Sequence, residues 1–392
     1  MDDGIVVASS IYTSPNLITE LCHTDPFPSW NILLFAFPPL SPGTPYLFLA
    51  TFQAQSRLLG MPRSPRSYSD KLVYEIVPRA KDSLPMPPTE TSNEIRLGIL
   101  GRTQRDNKVE LCHFVDMNNH SHSLAVSITS ENLSKFHMEL KKKTTDALKA
   151  LLGLSSLSLW EKRTGVFRVV TLEDAIERVV YIYCNPSNAG LCDSIDYYPG
   201  LSSWNAFRDC TPSVDAEVEI DAQWYPVSEI PTIPTKRYLS PREDAALYRE
   251  LKESEKAVRH PIVLKPFKWL ETYGVTDPQE IEKVRQRIIN RVRDTERINA
   301  MARSRHNKPI VSPAALRHAV YMKPHKPKKN GRKIFLICRN KELRLTLLES
   351  FRRTVSQCRE CYQKAKAGIR VEWPPGTFTP WFPPGFVFPL PA

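Results

Sequence analysis

The sequence predicts an α+β fold, an antiparallel sheet with helices on one or both faces, followed by a helical, basic C-terminal region. Three observations carry this. Between residues 61 and 207, short apolar runs of strand length alternate with longer amphipathic stretches. Beyond residue 207 that alternation gives way to long segments rich in arginine and lysine. A chain of 392 residues with 41% hydrophobic residues can also bury a core in each of two ordinary domains.

The elements follow in order. Residues 72–77 read as a strand, and residues 93–102, with Ile95, Ile99 and Leu100 at helical spacing, as a short helix. Residues 109–117 and 121–129 read as two strands joined by a turn at Asn118 and Asn119. A longer amphipathic helix, 131–152, carries Lys141, Lys142 and Lys143, and residues 165–170 form a further strand. The helix 171–185 opens with Thr171 and Asp174, placed like a capping box. Strand, helix, strand, strand, helix, strand, helix is the order of a ferredoxin-like sandwich.

The flanks differ in texture. Residues 1–60 lack sustained periodicity and are crowded with Pro, Ser and Thr, so they are expected to be a disordered arm or a spurious extension, with Met61 as the start. The apolar stretch 30–52 is interrupted by Pro38, Pro39, Pro42 and Pro45, which argues against a membrane span or a signal peptide. Residues 208–245, acidic around 215–221 and marked by Pro231, Pro234 and Pro241, read as a linker. Residues 246–372 read as a helical basic region, with an arginine-dense helix at 280–303, a lysine run at 323–333 and a helix at 341–367. Residues 373–392 are a Pro/aromatic tail.

A net charge of +12 points to a polyanionic partner, because a basic surface gains affinity by releasing counterions from phosphates. The eight cysteines show no repeated spacing, which excludes a disulfide scaffold and suits a reducing compartment. Cys358 and Cys361 form a lone CxxC, read as two packed helical thiols.

Two pairs of residues can carry chemistry. His120 and His122 stand at i, i+2 on a strand, so both imidazoles leave one face about 7 Å apart along the backbone, as two metal ligands would. A binuclear hydrolase would need further ligands where Ser123, Leu124 and Ala125 follow. Tyr181 and Asn185 are four apart, one helical turn, so phenol and amide point to one side; Tyr183, about 200° round the helix, faces elsewhere.

Taken together, these motifs resemble a family. Met117-Asn-Asn-His-Ser-His122 resembles the MPNHxH segment of the REP-associated tyrosine transposases, within the HUH single-stranded DNA transposase superfamily. Tyr181 to Leu191 resembles their YxxxNPxxAGL segment, Leu159 to Arg163 their LWxxR segment, and Asp196 to Trp204 their DYPWSSY segment. The four lie in the family's order within residues 61–207. The chain departs at Ser121 and Ser123, where apolar residues are usual, and Pro78-Arg79-Ala80 replaces a Ser-Arg-Gly segment.

The resemblance implies a metal-dependent nuclease that cleaves and rejoins single-stranded DNA near hairpins. His120, His122 and Asn185 would hold Mg²⁺ or Mn²⁺, and Tyr181 would be the nucleophile of a 5′-phosphotyrosine intermediate. DNA contacts are expected from Arg79, Lys141, Lys142 and Arg163, and from Arg285, Lys328, Lys329 and Arg332 in the basic region. The expected partner is single-stranded or hairpin DNA in the bacterial cytoplasm at the nucleoid, with a monomer or homodimer as the acting form. Two alternatives stay open: a non-catalytic DNA-binding descendant, motivated by Ser121 and Ser123, and a replication initiator or relaxase, which the short domain without a P-loop disfavours.

Overall fold

The computed structural model describes residues 68–233, 237–323 and 336–377. The expectations for residues 1–60, for Met61 as the start, for the apolar stretch 30–52, for most of the lysine run and for most of the aromatic tail lie outside the described residues.

Four strands form the centre of the sheet: β1 (Val73–Val77), β2 (Glu110–Asp116), β3 (Ser121–Val126) and β4 (Gly165–Val169). They lie in the order β2-β3-β1-β4 and every neighbouring pair is antiparallel. Val73 pairs with Val126, and Val115 with His122. The two-residue alternation of side chains sends Tyr74 and Ile76 to one face and Val73 to the other. Because both faces are covered, all five residues of β1 are buried.

Helices α1 (Glu90–Asn107) and α2 (Ser130–Leu151) cover the first face, where Leu100, Leu133 and Phe136 pack against Tyr74, Ile76, Leu111 and Phe114. Helix α3 (Leu172–Asn188) covers the second, with Ala175, Ile176, Val179 and Val180 against Val73, Leu124, Val126 and Val169. Thr89, Thr129 and Thr171 cap these three helices, each accepting a backbone N–H three residues on. Each cap contributes roughly 1 kcal/mol. The α+β class is therefore as the sequence predicts, with α4 (Trp204–Asp209) closing this part of the chain.

The remainder continues the same body. Its elements are β5 (Val218–Ile220), β6 (Gln223–Trp224), α5 (Pro241–Lys252), β7 (Val258–Arg259), β8 (Ile262–Leu264), α6 (Lys268–Glu271), α7 (Pro278–Arg305), α8 (Pro313–Arg317), β9 (Leu336–Ile337) and α9 (Lys341–Lys366). Strand β8 joins β2 in parallel, β5 pairs antiparallel with β8, and β9 joins β4 in parallel. The result is a seven-stranded sheet in the order β5-β8-β2-β3-β1-β4-β9.

Residues 208–233 and 237–245, read from the sequence as a linker, pack into this body. They supply β5 and bury Tyr225, Ile230, Ile233 and Leu239. The sheet is mixed rather than wholly antiparallel, since both edges gain a parallel strand from the basic region. Two glycines in α1 record the docking. A Cβ on Gly98 would collide with the carbonyl of Gln223, and one on Gly101 with the carbonyl of His260. Glycine inside a helix costs about 1 kcal/mol relative to alanine, and here it admits a neighbouring backbone.

Helix α7 packs along α3 through Ile281, Ile288 and Val292, all fully buried and spaced at helical intervals. Among the described residues, no helix is long and apolar enough to cross a membrane.

Candidate metal and nucleophile site

Alternation along β3 points His122, with Leu124 and Val126, at α3, and His120 sits one pair earlier, bridged to Arg79 where β3 begins. The rings of His120 and His122 lie 5.0 Å apart, centre to centre, at 79°. The ring of Tyr181 on α3 lies 5.5 Å from that of His122. Strand and helix, joined only through the fold, therefore bring three of the four expected residues together. Asn185 stands one turn further along α3 and is buried. Pro186 follows inside the helix, where its ring removes one N–H from the last turns.

The site holds two residues that the sequence reading passed over. Glu75 in the middle of β1 has no exposed surface, and its Oε1 accepts a hydrogen bond from Nδ1 of His122 at 2.8 Å. Its Oε2 lies 3.4 Å from Nε of Arg178. The guanidinium carbon of Arg178 is in turn 4.7 Å from the centre of the Tyr181 ring. The signal was present: one carboxylate in the apolar strand Val-Tyr-Glu-Ile-Val, where a buried charge demands a partner.

The charges are set by these neighbours. Burial by itself would push the Glu75 carboxyl up, but Arg178 and the hydrogen bond from His122 outweigh it and hold Glu75 below the ordinary carboxylate range. Burial drives His120 well below the usual imidazole range, assisted by the positive fields of His122 and Arg79. Burial also lowers His122, against the opposing pull of Glu75. Both imidazoles are neutral at neutral pH, the form that ligates metals.

The donor set fits a divalent cation. Nε2 of His122 and Nδ2 of Asn185 are buried without a hydrogen-bond partner. Leaving such an atom unsatisfied costs roughly 1–3 kcal/mol. Because amide oxygen and nitrogen are interchangeable by a side-chain flip, Asn185 can present either atom. The set depends on an amide: among the described residues, no group of three His, Cys, Asp or Glu side chains is placed to hold a metal ion.

Tyr183 turns away from this site, as its helical position predicts. It is fully buried, with its hydroxyl 2.7 Å from Nδ1 of His113 and 3.0 Å from Oγ of Ser203. Ser121 and Ser123 also turn away. They line an open pocket on the opposite face of the sheet, beneath α1 and α2, beside the ion pair of Arg96 with Asp116 at 3.0 Å. Their polarity therefore bears on packing there and not on the histidines.

The expected DNA contacts divide. Arg79 lies at the site, its charge felt by both histidines. Lys141 donates to the carbonyl of Glu161, and Trp160 Nε1 donates back to the carbonyl of Lys141, so the Leu159–Arg163 segment docks on α2. Lys142 and Arg163 are exposed. The guanidinium of Arg285 donates to the carbonyls of Arg208 and Cys210 and to Glu282. Its fellows on α7 are likewise matched within the chain, Arg287 with Glu173, Arg291 with Glu177 and Arg293 with Asp196 and Glu296. Lys328, Lys329 and Arg332 lie outside the described residues.

Among the described residues, no cysteine joins a group of metal ligands. Burial pushes Cys112, Cys184 and Cys192 up to about 12, leaving inert thiols. Cys358 is buried in α9, and the thiol of Cys361 donates to the carbonyl of Glu372.

No family model matches the sequence, and no curated protein matches it. Among solved structures, the chain is similar to that of a REP-associated tyrosine transposase bound to a REP hairpin. The identity is 20%, the match covers 37% of this chain and 84% of the other, and the TM-score is 0.32.

Proposed function

We propose that this protein cleaves and rejoins single-stranded DNA near hairpins, as a metal-dependent tyrosine nuclease of the transposase type. The observation that carries the reading is the placement of the Tyr181 ring against His122, which packs in turn on His120 and keeps a buried, unpartnered Nε2. Tyrosine beside unsatisfied metal-ligating atoms suits phosphoryl transfer with a protein nucleophile.

In this reading His120, His122 and Asn185 hold Mg²⁺ or Mn²⁺. A bound divalent ion would polarise the scissile phosphodiester as a Lewis acid. The Tyr181 oxygen attacks phosphorus and gives up its proton, and the bond to the 3′-oxygen breaks. That leaves a 5′-phosphotyrosine and a free 3′-hydroxyl, which reverses the step when it attacks the phosphotyrosine. Arg79, beside the histidines, supplies a cation for the phosphate, and α3, braced by α7, keeps the phenol in line.

The alternative of a non-catalytic DNA-binding descendant rests on Ser121 and Ser123, which line the packed face of the sheet beneath α1 and α2, and it predicts hairpin binding with no adduct. The test is a labelled DNA hairpin with single-stranded flanks incubated with the full chain and Mn²⁺ or Mg²⁺. A protein–DNA adduct that chelator abolishes is expected. Binding without any adduct would overturn the reading.

A further inference from the structure

We infer that Glu75 and Arg178 are positioning residues that tie the metal-facing tautomer of His122 to the placement of the Tyr181 ring; the inference rests on the proposed tyrosine nuclease. One carboxylate touches both halves of the site. Its Oε1 is 2.8 Å from Nδ1 of His122, and its Oε2 is 3.4 Å from Nε of Arg178. A carboxylate can only accept, so the proton of the neutral ring sits on Nδ1 and the lone pair on Nε2. That Nε2 is the buried atom without a hydrogen-bond partner. Glu75 thus fixes the tautomer that a metal requires, as carboxylates behind metal-bound histidines commonly do.

The second half runs through Arg178. Its guanidinium lies over the Tyr181 ring, 4.7 Å from the centre, and Arg178 and Tyr181 are three apart on α3, on one side of the helix. A cation held by Glu75 therefore fixes where the ring rests. All of Glu75 is buried, so it cannot swing out to solvent, and its strand is paired on both sides. The carboxylate is shared across the gap between sheet and helix, which makes histidine and tyrosine placement interdependent.

The two arms separate by variant and by readout. Nitrogen-15 NMR of imidazole-labelled, metal-free full chain reports the His122 tautomer, and a titration with Mn²⁺ alone reports affinity. Wild type is expected to show His122 protonated on Nδ1. Glu75→Leu is expected to move the proton to Nε2 and weaken Mn²⁺ binding 10- to 100-fold. Glu75→Gln keeps the shape of the side chain, so it separates loss of the charge from loss of the fold. It is expected to give a mixture of tautomers in a chain that still folds, because one amide cannot accept from both neighbours. Arg178→Lys keeps a cation beside Glu75 but removes the planar guanidinium from the Tyr181 ring, and is expected to leave tautomer and Mn²⁺ affinity as in wild type while adduct formation falls at least tenfold.

An Nδ1-protonated His122 with wild-type Mn²⁺ affinity in both Glu75 variants would overturn the inference. Mn²⁺ binding that His122→Ala does not weaken would instead sink the proposed nuclease, whatever the tautomer. The two failures are distinct.

Discussion

Nδ2 of Asn299 on α7 donates to Oγ of Ser187 at 3.0 Å, two residues past Asn185 on α3. The same nitrogen reaches Oδ1 of Asn188 at 2.7 Å, and Arg303 donates to the carbonyl of Ser187 at 2.9 Å. The arginine-dense helix thus braces the helix that carries Tyr181. Truncating its core should show this. Ile288→Ala is expected to cost about 2–5 kcal/mol, read as a lower urea midpoint at unchanged slope, and to reduce adduct formation with it. An adduct yield unaffected by so large a loss would separate α7 from the placement of Tyr181.

The charge on α7 and the charge at Arg79 should behave differently. Arg287 and Glu173 form an exposed pair, so Arg287→Gln is expected to change stability by about 1 kcal/mol or less and to leave the salt slope of DNA binding as it was. Arg79→Gln is expected to weaken binding to all hairpins alike and to reduce that slope by about one. Titrations between low and moderate salt decide it. The opposite ranking would return α7 to the DNA interface.

Acid should destabilise the protein through buried imidazoles. Burial holds His113 down at about 3. In the unfolded chain a histidine titrates near 6.5. The unfolded state therefore takes up the proton first, so the stability from keeping His113 neutral is full above about pH 6.5 and is lost as pH falls from there towards 3. The loss approaches about 1.4 kcal/mol per pH unit for each such histidine. Glu75, held low, adds its own loss only below the ordinary carboxylate range, near pH 4.3. Urea midpoints between pH 7 and 5 isolate the histidines, and His113→Gln is expected to flatten the slope. An equal slope in that variant would assign the acid sensitivity elsewhere.

The pocket beneath Ser123 offers a substitution that touches fold and not chemistry. Ser123 is buried on a strand and lines an open space with Phe114, Leu100 and Leu140. Ser123→Val adds apolar volume and a β-branched side chain, and is expected to stabilise by about 1 kcal/mol. Mn²⁺ affinity is expected to stay within twofold. A fall in affinity would mean that the two faces of the sheet are coupled.

Much of the fold was legible because its pattern is local. The strands and helices between Val73 and Asn188 carry periodicity over five residues or more; spacing put His120 with His122, and Tyr181 with Asn185, each on one face, and the family resemblance joined the two pairs. What escaped is nonlocal. Strands β5, β8 and β9 span three residues or two, too few for any period, and their place in the sheet comes from partners far along the chain. Proline and acid between 208 and 245 read as a linker because burial of Tyr225 or Ile233 depends on surfaces supplied by α1 and α2. The pairing of the α7 arginines with Glu173 and Glu177 escaped because those carboxylates lie more than a hundred residues away. Glu75 alone was within reach, as a charge in an otherwise apolar strand.

The most direct test maps the covalent bond. Full-length chain is incubated with Mn²⁺ and a hairpin oligonucleotide labelled on the 3′ side of the cleavage site, then digested, and the labelled peptide is sequenced by mass spectrometry. The account predicts a single nucleotide-bearing peptide modified at Tyr181, absent from Tyr181→Phe, which still binds the hairpin. An adduct of equal yield in Tyr181→Phe, or one mapped to another tyrosine, would contradict it.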